Sequence, residues 1–270
     1  MKLLEKQEIF CQGNTNTDPK RCHQRGLIPG PLESFSAFTK RATQAPHYDK
    51  YSLLAFHLQP DWIAIHRKPH HLSIWEGAAT WIEELPDQTR SCSIQIKPSR
   101  MLSLLYREDE ILSHEMIHAV RLFFDEPRFE EILAFQTSSH FLRRYFGPLF
   151  IHPKETLSWI LLVFLNWTSW MTGILLDHPE WGLYTLSLPL CGVLLALIRL
   201  VRSQSLFART LSNIKKILSQ PEQALSAMLY LTDQEIKTFA TQSSEEILSY
   251  IRQKRSLSPR WAQWSINYLD

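Results

Sequence analysis

The chain has 270 residues, enough for one large domain or two modest ones with an ordinary hydrophobic core. Because 29 Lys and Arg are balanced by 27 Asp and Glu, the formal charge is only +2, which argues against a dedicated nucleic-acid-binding protein. Hydrophobic residues make up 44% of the chain and aromatic residues 11%, which excludes an intrinsically disordered protein.

Cysteine usage and the first residues indicate a reducing compartment. The four cysteines form no Cys-x-x-Cys pair, so we expect free thiols rather than disulfides; they are Cys11, Cys22, Cys92 and Cys191. The opening run, MKLLEKQEIF, carries charges where a secretory signal has an apolar core, so no signal peptide is predicted.

The first half of the chain predicts an irregular segment followed by a mixed α+β domain. Residues 1–50 contain turn-rich runs such as CQGNTNTDPKRCHQRG and predict no regular structure, whereas residues 51–150 predict strands and helices. Short apolar runs predict strands at residues 51–58, 61–67 and 92–98. Residues 73–85, SIWEGAATWIEEL, have apolar side chains at helical spacing and predict a helix.

Two helices separated by a proline turn follow. Glu108, Asp109 and Glu110 place negative charge in a first helical turn, and apolar residues continue to Phe124. The run Asp-Glu-Pro at residues 125–127 ends that helix, and a second helix is predicted from about residue 128 to about residue 146.

The first of these helices contains a metal-binding pattern, His-Glu-Met-Ile-His at residues 114–118. Four residues turn a helix by about 400°, so His114 and His118 emerge on one face and can share a zinc ion. Glu115 follows the first histidine and is placed to act on a water molecule as a general base. The pattern predicts a zinc-dependent hydrolytic site, although a short motif also occurs by chance in structural helices.

A catalytic zinc needs a third protein ligand, and it has to come from the second helix. The extended metzincin motif is absent, because the residues after His118 are AVRLFFDEP. The segment Glu131-Ile-Leu-Ala134 resembles the Glu-x-x-Ala pattern that carries the third ligand in gluzincin peptidases. That resemblance favours Glu131, with Glu130 as the alternative, because adjacent helical residues diverge by about 100°.

The match is thus to zincin metallopeptidases of the gluzincin type and covers residues 106–146. The resemblance implies that an edge strand upstream of the first helix binds substrate in extended form. Residues 90–97, RSCSIQIK, are expected to form that substrate-binding strand. Two features depart from the family pattern. The spacing from His118 to Glu131 is shorter than in thermolysin-like enzymes, and no Asn-Glu-x-x-Ser-Asp sequence follows.

Two apolar segments predict a membrane hairpin over residues 157–198. Residues 157–176 and 181–198 carry no charge, and at about 1.5 Å per residue each approximates the thickness of a bilayer core. A buried hairpin of a soluble protein and a re-entrant hairpin are the alternatives. Basic residues flank the pair on both outer sides, which predicts cytoplasmic flanks and termini; they are Arg143, Arg144, Lys154, Arg199, Arg202 and Arg209.

Residues 203–270 predict a bundle of short helices for interaction or support. The sequences Thr232 to Glu235 and Ser243 to Glu246 both fit the capping box, and Pro259 follows Ser258 as a first helical residue.

Other polar residues near the motif have weaker claims to a role. The run HRKPHH, with His66, His70 and His71, matches no metal-binding spacing and predicts a solvated loop. His140 lies too far along the second helix to reach the zinc ligands. Arg121 is placed to orient a ligand carboxylate or to pair with the glutamate that does not bind metal.

Together these patterns predict an α+β fold. We expect a zincin-like metallopeptidase domain at residues 51–150, built from a small sheet and an active-site helix pair, then the transmembrane hairpin and the C-terminal helical domain. The predicted function is zinc-dependent hydrolysis of peptide bonds by an integral membrane protein. The expected substrate is a peptide or protein, membrane-associated ones included, and no nucleic-acid partner is expected. The alternative is a non-catalytic membrane scaffold whose HExxH helix is structural or degenerate.

Overall fold

The structure is a computed structural model of the chain, and it describes residues 17–67, 72, 77–84, 90–97 and 107–269. The described elements are mixed α and β. In chain order they are α1 (Pro19–Gln24), α2 (Phe35–Gln44), β1 (Ala64–His66), β2 (Ala78–Glu84), β3 (Arg90–Ile96), α3 (Glu108–Val120), α4 (Pro127–Phe135), α5 (Phe141–Phe146), α6 (Pro153–Leu175), α7 (Glu180–Ile217), α8 (Ala224–Met228), α9 (Asp233–Phe239), α10 (Ser244–Arg255) and α11 (Pro259–Tyr268).

Two helices lie in the N-terminal segment for which the sequence predicted no regular structure. Asp18 caps α1 by accepting a hydrogen bond from the backbone N–H of Arg21 at 3.0 Å. Ser34 caps α2 in the same way, from the N–H of Ala37 at 3.2 Å. The prediction of an irregular segment is therefore wrong for these residues, because short polar side chains in turn-rich runs also serve as helix caps.

The sheet has the order β1-β3-β2, with β1 parallel and β2 antiparallel to β3. The predicted strands at residues 61–67 and 92–98 are confirmed by β1 and β3. Residues 51–58 instead form a short 3₁₀ turn, Leu54–Phe56, closed by an isolated bridge between Leu53 and Leu58.

The predicted helix at residues 73–85 is wrong where the structure describes it, because residues 78–84 form β2. These residues pair with β3 over seven positions, from Ala78 opposite Ile96 to Glu84 opposite Arg90. Thr80, Trp81 and Ile82 favour an extended chain. The hydrogen-bonded pairing with β3 outweighs a helical spacing that rested on only four apolar residues between positions 75 and 85. Trp75 and Leu85, which completed that spacing, lie outside the described residues.

The central position of β3 also corrects the expected substrate strand. Residues 90–97 were predicted to form a sheet edge, but β3 has a partner on each side. Among the described residues β2 pairs only with β3, so β2 is the edge strand that lies beside the HExxH helix.

The helix pair of the motif is present with one interruption. The HExxH helix, α3, begins at Glu108 as predicted but ends at Val120, before the predicted end at Phe124. A proline in the first turn of α4 begins the second helix. The predicted helix from residue 128 to 146 divides into α4 and α5 around Thr137, Ser138 and Ser139. The hydroxyl of Ser138 accepts from the N–H of His140 at 3.2 Å, a local bond that competes with helix continuation.

Two helices are long and apolar enough to cross a membrane by length and composition, α6 from Lys154 and α7. Only 6% and 17% of the residues in their most apolar windows are buried, so these windows lie outside the hydrophobic core. They form an antiparallel pair in which the Asn166 side chain donates to the carbonyl of Gly182 at 2.7 Å. The second helix continues beyond the predicted end at residue 198 without a break to Ile217.

One hydrophobic core joins the N-terminal helices, the sheet, the helix pair and the C-terminal helices. Its buried members include Cys22 of α1, Ile94 of β3, Met116 of α3, Phe207 of α7 and Trp264 of α11. The C-terminal helices thus share the core of the HExxH segment, and their predicted start at residue 203 falls inside α7. Both predicted capping boxes, at the starts of α9 and α10, are confirmed.

Candidate metal centre

His114 and His118 lie one helical turn apart on the same face of α3. Their Nε2 atoms are 3.3 Å apart, and the two rings meet edge to face with centroids 5.0 Å apart. The His114 ring also packs edge to face against Phe135 of α4, at 4.6 Å between centroids. These contacts hold two ligand nitrogens at one point between the helices.

Glu131 of α4 supplies the third group at that point. Its carboxylate oxygens lie 3.7 Å from His114 Nε2 and 3.6 Å from His118 Nε2. One ligand atom from each of the three residues falls within 4.8 Å of the other two. A tetrahedral zinc site with bonds of about 2.0–2.1 Å separates its ligand atoms by about 3.4 Å. The donor set and its spacing therefore suit a zinc ion.

Glu130 faces away from that point and contacts the opposite side of His118. Its Oε1 atom accepts a hydrogen bond from His118 Nδ1 at 2.7 Å, and its Oε2 atom lies 3.4 Å from Arg121 Nε. Because a carboxylate only accepts, the proton of the neutral imidazole resides on Nδ1 and the Nε2 lone pair is free for a metal. The predicted pairing of the other glutamate with Arg121 matches this contact.

Arg121 connects the site to the C-terminal helices. Its side chain is fully buried, and one guanidinium nitrogen donates to the carbonyls of Leu229 at 2.6 Å and Leu231 at 3.0 Å. The guanidinium also lies 4.2 Å from the ring centroid of Phe124. The C-terminal segment therefore fixes Arg121, which contacts Glu130, which holds His118.

The charges around the histidines pull their pKa values apart. Burial lowers the pKa of His118, but the hydrogen bond and charge of Glu130, with Glu131 and Glu115, outweigh it and raise the pKa to about 9. Burial, together with the positive charge of His118, lowers the pKa of His114 to about 3. Burial raises the pKa of Glu131, and His118 opposes that effect. Without a metal, the acids thus attract one proton to His118.

Glu115 lies beside the candidate ligands and contacts the edge strand β2. The Thr80 hydroxyl of β2 is 2.9 Å from Glu115 Oε2 and 3.1 Å from the Glu115 carbonyl oxygen. A hydroxyl donor at that position orients the carboxylate beside the histidines. Sequence reasoning did not identify Thr80, because the strand that carries it had been predicted as helix.

Two adjoining cavities flank the histidines and together form what we call the groove. They measure about 400 and 350 Å³, and both are lined by Ala78, His114 and Glu115. Thr80 and other β2 residues line the smaller cavity, so the edge strand forms a wall of the groove. About a fifth of each ligand side chain, His114, His118 and Glu131, remains exposed.

The larger cavity contains two charged residues, Glu110 and Arg143, that the sequence did not place at the site. Arg143 of α5 donates to Glu110 of α3 at 2.5 Å, and Ser139 donates to the same carboxylate from its N–H and hydroxyl. These bonds and Arg143 outweigh burial and lower the pKa of Glu110. They fix α5 against the first turn of α3.

The other histidines considered from the sequence are not placed at the site by the described residues. His66 belongs to β1, and His70 and His71 lie outside the described residues. His140 precedes α5 and lines neither cavity of the groove.

Comparisons of the chain with protein-family models, curated proteins and solved structures found no match.

Proposed function

We propose that the chain is a membrane-anchored zinc metallopeptidase. The observation that carries the proposal is the convergence of His114, His118 and Glu131, with one ligand atom of each within 4.8 Å of the others and Glu115 beside them. Two imidazoles and one carboxylate with an open fourth position form the ligand set of catalytic rather than structural zinc.

Each residue of the site has a defined task. His114, His118 and Glu131 hold the metal, and Glu130 keeps His118 in the tautomer that exposes Nε2. A zinc ion bound there supplies a Lewis acid for hydrolysis. Glu115 takes the proton of the attacking water, and the Thr80 hydroxyl keeps its carboxylate turned toward the groove.

The groove suits a peptide in extended conformation. β2 presents its unpaired side within the described residues, and its Ala78, Ala79 and Thr80 line the groove next to Glu115. A peptide added to such an edge gains main-chain hydrogen bonds irrespective of its sequence. The two cavities that meet at His114 and Glu115 leave room for side chains before and after the cleaved bond.

The apolar pair α6 and α7 serves as the anchor. Large apolar side chains along both helices are exposed, among them Leu161, Phe164, Leu183 and Leu194. Exposed apolar surface of this extent requires a lipid or protein covering. The basic residues that flank the uncharged stretches 157–176 and 181–198 favour a cytoplasmic location for the groove and both termini.

The test is cleavage of a peptide library by the full chain, purified in detergent and loaded with zinc. The Glu115→Gln variant keeps the metal ligands, so we expect zinc content to stay and cleavage to fall by about 10²–10⁴-fold. Glu222→Gln is the matched control, because Glu222 is exposed in the C-terminal segment. Equal cleavage by wild type and Glu115→Gln, or none by either, would refute the peptidase role and favour a scaffold.

A further inference from the structure

The short helix α5 presents its apolar face away from the protein. Phe141, Leu142 and Phe146 are 72%, 68% and 45% exposed. At about 100° per residue these three side chains, with Tyr145 between them, occupy an arc of about 140° on one side of the helix. We call this surface the α5 apolar face.

The arginines of the same helix contact the protein. Arg143 is mostly buried and donates to Glu110 at 2.5 Å, whereas Arg144 is exposed but donates to the Ser138 carbonyl at 2.8 Å. A surface helix of a soluble protein shows the reverse arrangement, with its apolar side packed and its charged side in water. The helix is therefore oriented for an apolar surrounding.

The helix lies at the level where the apolar part of α7 ends. The side chain of Gln204 donates to the Tyr145 carbonyl at 3.0 Å, and Arg199 donates to the Leu149 carbonyl at 2.8 Å. Gln204 is six residues beyond Ile198, about 9 Å along the helix axis. The headgroup zone of a bilayer is about 5–8 Å thick on each side. The aromatic side chains of α5 are long enough to span the difference between that thickness and the distance of about 9 Å.

The same helix forms a wall of the groove. Arg143 and Gly147, at its end, line the larger cavity with His114 and Glu115. A Cβ atom at Gly147 would overlap the Phe135 ring, which in turn packs against His114. The position of α5 relative to the bilayer therefore fixes the position of the groove.

We propose that the α5 apolar face inserts into the headgroup region of the bilayer, so that the groove opens at the membrane surface. The substrates are then polypeptide segments held next to a bilayer by a membrane span or a lipid anchor. This inference rests on the proposed anchoring and, for the substrate, on the proposed peptidase activity. Two observations favour lipid as the partner: α5 contacts α7 of the apolar pair through Gln204, and Arg143 faces the protein rather than the surface.

The docking is measured by depth-dependent quenching of a fluorophore on the full chain in anionic phospholipid vesicles. A Leu142→Cys label reports the α5 apolar face, the native Cys191 reports the apolar pair, and Leu257→Cys is the matched control. Leu257 is an exposed leucine, 61% accessible, between the C-terminal helices. Cys11 is replaced by Ser in every variant, and Cys191 by Ser in the variants labelled elsewhere.

The two other thiols contribute little background. Cys22 and Cys92 are buried thiols outside any disulfide, and burial raises their pKa values to about 11 and about 12. Few thiolates are present at neutral pH, so labelling is slow.

We expect a headgroup nitroxide to quench the label at residue 142, an acyl-chain nitroxide to quench the label at Cys191, and neither to quench the label at residue 257. Quenching at Cys191 without quenching at residue 142 would overturn the docking and leave the anchor intact. Quenching at neither would overturn both. Equal quenching at residues 142 and 257 would also overturn the docking, since it would no longer be specific to α5.

The substrate class has a separate test. One peptide is offered free and tethered to lipid by a short spacer, to wild type and to Phe141→Ser/Leu142→Ser. We expect wild type to prefer the tethered peptide, and the double variant to lose that preference while cleaving the free peptide as before. Equal cleavage of both forms by wild type would overturn the substrate class, and cleavage of neither would overturn the peptidase activity on which it rests.

Discussion

The substitution Glu130→Gln tests whether Glu130 orients the proposed metal ligand His118 rather than binding the metal itself. Glu130 Oε1 lies 2.7 Å from His118 Nδ1. The substitution keeps the shape of the side chain and an oxygen that can accept the Nδ1 proton, but it removes the negative charge. A carboxylate that accepts from a ligand histidine increases the basicity of the other ring nitrogen, and its loss weakens metal affinity by about 10–100-fold. That factor corresponds to about 1.4–2.8 kcal/mol.

The assay is competition for zinc between the purified protein and a chromophoric chelator at fixed pH. Glu131→Gln is the comparison, since it removes a ligand 3.6–3.7 Å from both histidine nitrogens and should weaken binding further than Glu130→Gln. Wild-type affinity in Glu130→Gln would refute the orienting role. The reverse order, with Glu130→Gln the weaker binder, would make Glu130 the third ligand.

Three further predictions concern stability in detergent. Arg121→Met leaves Glu130 and the carbonyls of Leu229 and Leu231 without the buried guanidinium. The free energy of unfolding, measured with denaturant, should fall by about 3 kcal/mol. A fall of less than about 1 kcal/mol would contradict the connection between Arg121 and the C-terminal segment. Burial between two tyrosine hydroxyls lowers the pKa of His23 to about 4, so the unfolded chain takes up a proton that the fold does not. Stability should therefore decline as the pH falls from 6.5 to 4, and His23→Gln should flatten that decline; an unchanged slope would show that His23 is not its source. A Cβ at Gly182 would lie 2.6 Å from the Trp170 ring. Gly182→Leu should therefore overpack the contact between α6 and α7 and lower the midpoint temperature of thermal unfolding. An unchanged midpoint would argue against the close contact.

The site was more predictable than the sheet around it, because its information is local. Helical spacing alone places His114 and His118 on one face, and the short proline turn returns Glu131 to them. The choice of Glu131 over Glu130 came from a resemblance to a family pattern, and in the structure the Glu131 carboxylate is the one grouped with the two histidine Nε2 atoms.

The errors arose where pairing between distant residues decides the conformation. Residues 78–84 become a strand because β3 supplies seven partners, which no local pattern records. Thr80 and its contact with Glu115 were missed for the same reason. The break after Phe135 had a local signal in Thr137, Ser138 and Ser139, which are poor helix formers; the hydroxyls of Thr137 and Ser138 hydrogen-bond the backbone here.

The role of the C-terminal helices could not be deduced from their sequence. Capping boxes predict where those helices start but not what they contact. Only the fold brings the carbonyls of Leu229 and Leu231 to Arg121, more than 100 positions earlier in the chain.

The most direct test of the account is the zinc content of the purified protein, measured by mass spectrometry. Wild type, His118→Ala and Glu131→Ala are compared, with His66→Ala as the matched control on β1 away from the groove. The account predicts about one zinc per chain in wild type and His66→Ala and little in the other two. A wild type that stays metal-free after exposure to zinc, or equal zinc in all four proteins, would contradict it.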